Sequence, residues 1–380
     1  MRQLLNLALM KLCASLIPFM PRSAPTTAST RRAASPRLRL GYVPLNDAAP
    51  FIVAHETGIF ARHGLDVSLK RELGWATIRD KIAYGELDAA NALGALLLNA
   101  HLGLEAPPCE CLTACILSTA GNAITLSQRL WDNGVRDATT LHDEIIRTRH
   151  ERTLVIGVAA RYSSHFLHVC DWLRSGNINP RRDVRIVVVP PPQVYRNLAA
   201  GTIDGYCVGE PWNTLAIQNG SGWCPTTSSE LHPGHVEKVL LVHADFARQR
   251  HDEHLALVAA LHEACLQCDE PDFRPEMVKL LARREYLNQS PKVISAGLVG
   301  PMQLGRDRSI DAASFVRFGR DDLNNPTPER AGWLTTHFER IGAIPKTPGT
   351  AVKVIRETFR ADLFRQAVKS AGTPATAASK

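Results

Sequence analysis

The sequence lacks the usual signatures of catalysis. It contains no glycine-rich phosphate loop, no nucleophile spaced with a base and an acid, and no complete run of metal ligands. Apolar residues make up 45% of the chain and charged residues 21%, which is typical of a soluble globular protein with sizeable cores. We therefore expect a binding protein and no enzyme, with no cofactor and no bound metal.

The chain also lacks a basic excess in its globular part. The net charge is +7, but residues 1–37 hold six basic residues and no acidic residue, so the remainder carries only +1. Nucleic-acid-binding domains concentrate positive charge on one face. This balance argues against direct nucleic acid binding.

The cysteines show no disulfide framework, because the nine residues are an odd number without paired spacing. Cys265 and Cys268, with His262 three residues earlier, have a spacing that a metal site would use, but no fourth ligand stands nearby. Buried cysteine more often packs as a small hydrophobic residue. Many unpaired thiols favour a reducing compartment, which predicts a cytoplasmic location.

The segment 1–37 is a basic leader or a disordered tail. Its apolar core, Leu12–Met20, is too short to span a membrane, and it precedes a stretch rich in serine, threonine and alanine. If the segment is a cleaved secretory signal, with Thr26-Thr27-Ala28 as one permissible site, the protein is periplasmic. Met20 as the true start is the other possibility.

One phrase occurs twice in the chain. Residues 82–90 and 198–206 each contain the end of a helix, a glycine (Gly85 or Gly201), and then an apolar strand that opens with a hydrophobic residue and an aspartate. Two similar α/β lobes are therefore expected, and such proteins bind their ligand between the lobes.

Strands and helices alternate through both lobes, which is typical of parallel sheets. Residues 127–152 form a polar connector in this prediction, and 109–119 form one apolar strand. The predicted lobes are 38–125 together with 235–380, and 126–234 as an insertion. This organisation predicts an α/β periplasmic-binding-protein-like fold of type II, with the cleft at its hinge.

Four hydrogen-bond donors stand at predicted junctions of strands and helices. Trp75 and His165 open helices, Asn122 follows a strand, and Lys238 lies where the chain returns to the first lobe. Each also has a structural explanation, since tryptophan packs in cores and asparagine forms turns. Together they predict a pocket for a small anion.

Four motifs resemble one family. They are residues 41–50 (Gly-Tyr-Val-Pro-Leu-Asn-Asp-Ala-Ala-Pro), 75–81 (Trp-Ala-Thr-Ile-Arg-Asp-Lys), 121–125 (Gly-Asn-Ala-Ile-Thr) and 208–213 (Val-Gly-Glu-Pro-Trp-Asn). These motifs are similar to those of the nitrate/bicarbonate-binding branch of the ABC-transporter solute-binding proteins, over about residues 38–370. The resemblance implies ligand contacts from the following residues: Trp75, Asn122, His165, Gly209 and Lys238.

The resemblance also implies a ligand and partners. Receptors for bicarbonate resemble this chain but carry an acid in place of the lysine, so Lys238 favours nitrate or nitrite. Asn122 stands where transport receptors carry glutamine, and asparagine is typical of the cytoplasmic nitrate/nitrite sensors. Such a sensor controls nitrate assimilation through an RNA-binding antiterminator. The alternative is an exported substrate-binding component that feeds an ABC permease.

Two features depart from these patterns. Asn91–Leu97 replaces a phrase similar to His-Met-Leu-Ala-Pro-Met in the family and changes one predicted wall of the cleft. The cluster Cys109-Glu-Cys-Leu-Thr-Ala-Cys115 resembles only loosely that of a thiamine-pyrimidine precursor synthase with a related fold, and it falls in the other lobe. We therefore keep a non-enzymatic anion-binding protein as the expectation.

Overall fold

The computed structural model describes residues 37–372. The leader predicted over 1–37 therefore lies outside the described residues, except for Arg37. No helix within 37–372 combines the length and the apolar character needed to cross a membrane.

The strands of the described residues alternate with helices along the chain. In chain order the strands are β1 (Leu38–Tyr42), β2 (Val67–Arg71), β3 (Ala89–Leu93), β4 (Cys111–Leu112), β5 (Ile116–Ala120), β6 (Asn122–Ser127), β7 (Leu154–Val158), β8 (Val184–Val188), β9 (Gly205–Gly209), β10 (Gly222–Thr227), β11 (Val236–His243), β12 (Pro301–Gly305), β13 (Arg308–Asp311) and β14 (Val316–Arg317).

A short 3₁₀ turn, Asn46–Ala48, links β1 to the first helix. The helices are α1 (Ala49–Glu56), α2 (Ile59–Arg62), α3 (Trp75–Ala83), α4 (Gly94–Leu102), α5 (Gln128–Asp132), α6 (Ala138–Thr148), α7 (Ser164–Ser175), α8 (Pro191–Ala199), α9 (Trp212–Gln218), α10 (Ser228–Leu231), α11 (Ala244–Gln249), α12 (His251–Cys268), α13 (Arg274–Ala282), α14 (Pro291–Ser295), α15 (Ala312–Phe315), α16 (Pro328–Arg340), α17 (Thr350–Thr358) and α18 (Ala361–Gly372).

Two sheets repeat one strand pattern. The first sheet has the order β14-β5-β11-β3-β1-β2, with β4 also paired to β11, and the second has the order β10-β6-β9-β7-β8. In each sheet three parallel strands (β2-β1-β3 or β8-β7-β9) continue into an antiparallel strand, which is β11 or β6. This repetition accounts for the repeated phrase in the sequence.

The chain passes between the sheets twice. It leaves the first sheet after β5 and enters the second with β6, and Gly121 is the one residue between the two strands. It returns after α10 through β11. Residues 122–125 thus pair within the second sheet, although the sequence places them in the first lobe. The lobe boundaries themselves stay a prediction, because the described residues 37–372 fall within one compact unit.

The two glycines of the repeated phrase end equivalent helices. Gly85 follows α3 with φ 69°, and Gly201 follows α8 with φ 71°. Residues with a side chain rarely adopt this left-handed conformation, so glycine at these positions stops each helix and turns the chain toward the next strand.

The two aspartates of the phrase also perform the same task. Asp88 Oδ2 accepts the backbone N–H of Arg39 in β1 at 2.7 Å, and Asp204 Oδ2 accepts that of Val155 in β7 at 2.8 Å. In both sheets the carboxylate therefore ties the strand that it opens to the second residue of the neighbouring parallel strand.

Two local predictions were wrong. The segment 127–152 contains the helices α5 and α6, and α6 begins at a capping box in which the side chains of Asp137 and Thr140 each accept a backbone N–H of the other residue. The strand predicted over 109–119 is broken into β4 and β5 because Thr113–Cys115 leave the ladder, and the Thr113 hydroxyl caps the N–H of Cys115.

Candidate functional site

The starts of two helices place Trp75 and His165. Trp75 is the first residue of α3, which follows β2, and His165 is the second residue of α7, which follows β7. Ser163 caps α7 by accepting the N–H of Phe166. Both predicted ligand residues are buried, with 1% of Trp75 and none of His165 exposed.

The two crossings place Asn122 and Lys238. Asn122 opens β6 and pairs in register with Gly209, the last residue of β9. Lys238 is the third residue of β11, where it lies between Leu93 of β3 and Ser118 of β5. Both side chains are fully buried. Asn122 therefore follows the end of β5, as predicted. It is also the first residue of β6, which the sequence did not predict.

The structure brings the five predicted residues into one cluster. Lys238 Nζ lies 5.3 Å from the ring centre of Trp75, and His165 Nε2 lies 3.0 Å from Asn122 Oδ1. A Cβ atom on Gly209 would stand 3.3 Å from Asp47 Oδ2 and 3.4 Å from Asn122 Oδ1, so Gly209 lies directly beside both side chains.

Two carboxylates that the sequence analysis missed complete the cluster. Asp47 Oδ2 lies 2.6 Å and Glu237 Oε1 lies 2.9 Å from Lys238 Nζ. Asp47 stands inside one of the family-like motifs and Glu237 directly precedes Lys238, so the sequence offered a positional signal for both. We use "candidate site" for the following residues: Asp47, Trp75, Asn122, His165, Gly209, Glu237 and Lys238.

The segment Asn91–Leu97, which departs from the family pattern, contacts the candidate site through Asn91. The Asn91 side-chain amide donates to the backbone carbonyl of Asp47 at 2.9 Å, and Asn91 is almost fully buried. The replacement that the sequence flagged thus fixes the turn that carries Asp47.

Burial sets the charges of the site. It lowers the pKa of His165 to about 4, so this imidazole is neutral at pH 7 and donates from Nε2 to Asn122 Oδ1. Burial also raises the pKa of Asp47, and the attraction of Lys238 only partly offsets this effect. Burial alone would raise the pKa of Glu237, but Lys238 and two histidines hold it well below its usual value.

The same carboxylates keep Lys238 charged. Burial would lower the pKa of its ammonium, but Asp47 and Glu237 together raise it. A buried cation that contacts two hydrogen-bonded carboxylates is compensated, as a charge without exposed surface must be.

Several donors of the site face no acceptor. Trp75 Nε1 and Asn122 Nδ2 are buried without a hydrogen-bond partner among the described residues. The ammonium of Lys238 has three N–H groups, and the contacts with Asp47 and Glu237 use two of them. The arrangement can therefore hold a small group that only accepts hydrogen bonds, and it presents no nucleophile to such a group.

The residues of the possible cysteine metal site, His262, Cys265 and Cys268, are explained by their packing contacts. Cys265 Sγ contacts the carbonyl of Leu117 at 3.6 Å, and His262 Nδ1 pairs with Asn324 Oδ1 at 2.8 Å. Burial raises the thiol pKa of both Cys265 and Cys268 well above its usual value, which disfavours the thiolate that binds metal.

Comparison with known proteins identifies the family. The model of the NMT1-like family matches residues 31–282, well over half of the chain. The chain belongs to the NMT1-like family. The predicted resemblance to the nitrate/bicarbonate-binding branch of the ABC-transporter solute-binding proteins is confirmed by the similarities that follow.

The chain is 36% identical over 340 residues to the nitrate import ATP-binding protein NrtC of Synechocystis. It is 38% identical over 355 residues to the bicarbonate transport ATP-binding protein CmpC of the same organism. These alignments cover 89% and 92% of the chain, but it spans only about half the length of the two relatives (50% and 53%).

A solved structure confirms the fold predicted for this NMT1-like chain. The periplasmic nitrate-binding protein NrtA of Synechocystis superposes with a TM-score of 0.83 at 26% identity, over 89% of this chain and 90% of that one. The fold is therefore the predicted periplasmic-binding-protein-like α/β fold. The ligand roles of the five predicted residues stay a prediction.

Proposed function

We propose that this chain binds nitrate or nitrite at the candidate site and acts without catalysis. The observation that supports this most directly is the set of unused donors, namely Trp75 Nε1, Asn122 Nδ2 and the third N–H of Lys238. Nitrate and nitrite only accept hydrogen bonds and carry one negative charge, so they match buried donors beside an ammonium.

Calorimetric titration of the full chain with nitrate, nitrite and bicarbonate tests this function. We expect saturable heat with nitrate or nitrite and its loss in Lys238→Gln. Lys279→Gln, which removes an exposed lysine paired with Glu276, is the matched control and should bind like the wild type. Absence of binding for all three anions by a folded wild-type protein would refute the proposal.

Bicarbonate is the second candidate ligand, because one observation favours it. Bicarbonate donates a proton as well as accepting hydrogen bonds, and Asp47 Oδ1 is a buried acceptor without a partner among the described residues. Heat with bicarbonate alone, which disappears in Asp47→Asn but survives in Trp75→Phe, would select bicarbonate over nitrate.

For the biological role we propose a cytoplasmic nitrate/nitrite sensor that controls nitrate assimilation through an antiterminator protein. The eight described cysteines are all unpaired and buried, which suits a reducing compartment. Asparagine at position 122 is the residue that the resemblance associates with the cytoplasmic sensors. A pull-down with the antiterminator should show a complex that nitrate weakens. A complex that is absent, or that nitrate does not change, would remove this role.

The alternative role is a component of an ABC anion importer, and the names of the relatives favour it. NrtC and CmpC are ATP-binding proteins of nitrate import and bicarbonate transport. Recovery of the protein from the periplasm with a processed N-terminus, together with nitrate uptake that depends on it, would establish this role and exclude the sensor.

A further inference from the structure

Four histidines gather around one tryptophan beside the candidate site. The ring of Trp333 on α16 lies 4.5–5.3 Å from the rings of its neighbours, measured between ring centres. These neighbours are His168 of α7, His232 and His235 before β11, and His337 of α16. We call this group the histidine cluster.

At the outer end of the histidine cluster a carboxylate meets two imidazoles. Asp171 Oδ2 lies 2.7 Å from His337 Nε2 and 3.2 Å from His232 Nε2. All three atoms lie within 4.8 Å of one another, and Asp171 and His232 are partly buried whereas His337 is buried.

The hydrogen positions on His337 are constrained from both sides. Nδ1 lies 2.8 Å from the backbone carbonyl of Trp333 and must donate to it, because a carbonyl only accepts. Nε2 faces the Asp171 carboxylate, which also only accepts. The ring therefore needs either a second proton or a cation between Nε2 and the carboxylate.

His232 adds a second nitrogen that is not satisfied. Its Nε2 is buried and makes no hydrogen bond of normal geometry to any described residue, although it points toward Asp171. An imidazole nitrogen without a hydrogen-bond partner, beside a carboxylate, is an arrangement that a metal ion can use.

Arginines compete for the same carboxylate. Arg340 Nη1 lies 2.9 and 3.0 Å from the two oxygens of Asp171, and Arg174 Nη1 lies 3.1 Å from Oδ1. Burial would raise the pKa of Asp171, but the neighbouring imidazoles and Arg340 hold it well below its usual value. An ion on Oδ2 would replace the Arg340 contact to that oxygen and leave Arg340 and Arg174 on Oδ1.

We propose that Asp171, His232 and His337 form a binding site for a divalent transition-metal ion of the zinc class. Two imidazoles and one carboxylate are a common ligand set for zinc, and solvent can supply the fourth ligand. Ligands about 2.0–2.2 Å from such an ion stand roughly 3.3 Å apart in a tetrahedron. The observed 2.7 and 3.2 Å from Asp171 Oδ2 to the two imidazoles would have to lengthen toward this value, and the two imidazole nitrogens lie within 4.8 Å of each other.

The hydrogen bonds that orient the ligands favour this triad over its neighbour. His168, His235 and Glu237 also lie close enough to share an ion. However, His168 Nδ1 has no partner in the described part of the chain, and Glu237 already pairs with Lys238. In the triad of Asp171, His232 and His337, the backbone carbonyl of Trp333 accepts the Nδ1–H of His337, and such an acceptor orients a ligating histidine.

The site would join three segments that are distant in sequence. Asp171 lies on α7, which carries His165 at its start, and His232 lies in the segment that leads to Lys238. His337 lies on α16 near the end of the chain. An ion that binds only the folded chain stabilises this junction by mass action.

Titration of the chelator-treated full chain with zinc, followed by calorimetry and thermal unfolding, tests the proposal. We expect one site and a higher melting temperature with zinc. Asp171→Asn and His337→Gln should each weaken binding by at least roughly 10–100-fold, which is what the loss of a group that only orients a ligand already costs. His142→Gln, whose ring lies 3.8 Å from the neighbouring Asp143, is the histidine control and should bind normally.

Two further measurements exclude other sites. Cys109→Ser tests whether zinc binds the close pair of Cys109 and Cys111, whose sulfurs lie 3.3 Å apart. His168→Gln tests whether zinc binds the triad of His168, His235 and Glu237. In zinc-soaked crystals of the wild type, anomalous scattering should place the ion on Asp171 Oδ2 and the two Nε2 atoms. This result does not depend on the folding of any variant. An ion located elsewhere, or no zinc binding at all, would overturn the proposal.

Discussion

The ammonium of Lys238 lies 2.6 Å from the carboxylate of Asp47, with no exposed surface on the lysine side chain. This ion pair joins the turn after β1 to the strand that returns from the second sheet. It also means that an incoming anion meets a lysine whose charge is already shared with carboxylates.

Asp47→Asn should increase the affinity for nitrate. The change removes a negative charge beside the proposed anion but keeps the size of the side chain. A like charge about 4–6 Å away costs well over 1.4 kcal/mol at an effective dielectric of about 20, so the Kd should fall by about tenfold or more. Calorimetry measures the Kd, and Asp80→Asn on the surface of α3 should leave it unchanged.

The pH dependence of binding provides a second readout of Asp47. Because burial raises the pKa of this carboxyl, protonation as the pH falls should strengthen nitrate binding in the wild type, whereas nitrate itself keeps its charge. Above about pH 5, where His165 stays neutral, Asp47→Asn should remove this dependence. Equal slopes in the two proteins would show that Asp47 does not oppose the anion.

Trp75→Phe should weaken nitrate binding while the fold persists. Phenylalanine keeps most of the buried ring and removes only the Nε1–H donor. A hydrogen bond to a charged group contributes about 1.5–3 kcal/mol, so the Kd should rise roughly 10–150-fold.

Trp223→Phe is the matched control for this change. Trp223 is also buried in β10, and its Nε1 also lacks a partner among the described residues, but it packs in the core of the second sheet. A similar loss of affinity in both variants would show that the effect comes from packing.

Asp204→Asn should reduce stability without changing anion affinity. The carboxylate is almost fully buried and binds the N–H of Val155 and, at 2.6 Å, the guanidinium of Arg129. The loss of such a contact costs about 1–3 kcal/mol. Urea unfolding measures the change. Asp132→Asn, at an exposed position of α5, should unfold like the wild type, and equal midpoints for the two variants would contradict the role given to Asp204.

Glu210→Gln should change how stability depends on pH. Burial raises the pKa of Glu210 from 4.5 to about 7, so between these values the folded state holds a proton that the unfolded state has lost. This group therefore destabilises the fold as the pH rises from about 4.5 to 7, by roughly 3 kcal/mol in total.

The difference between wild type and variant isolates this effect. His165, whose pKa falls to about 4, acts in the opposite direction, because its contribution to stability is lost as the pH falls from about 6.5 to 4. We expect Glu210→Gln to gain stability relative to the wild type as the pH rises from 5 to 7. If the free energies of unfolding of the two proteins change in parallel between pH 5 and 7, Glu210 is already ionised in the folded state.

Local sequence patterns predicted the position of those site residues that a single helix or strand places. Trp75 and His165 each follow a strand and begin a helix, and this order is visible in the periodicity of the chain. The repeated glycine and aspartate predicted two similar sheets for the same reason.

Local sequence patterns could not predict the contacts between segments that are distant in sequence. The pair of Asp47 and Lys238 exists because β11 inserts between β3 and β5, and no local rule gives that strand order. His232 and His337 likewise meet Asp171 only because α16 packs against β11 and reaches α7, which are distant in sequence. The capping box at Asp137 was a local signal, and it was missed because the surrounding residues are mostly polar.

The buried thiols give the protein a native set of chemical reporters. Cys115 and Cys265 belong to the core beneath the first sheet, whereas Cys207 packs in the core of the second, beside Gly209 of the candidate site. Since a sulfhydryl reagent modifies such a side chain only after local opening, labelling rates resolved by peptide mass spectrometry would follow each sheet separately. The natural sequence thus allows ligand-dependent opening to be mapped without an introduced probe.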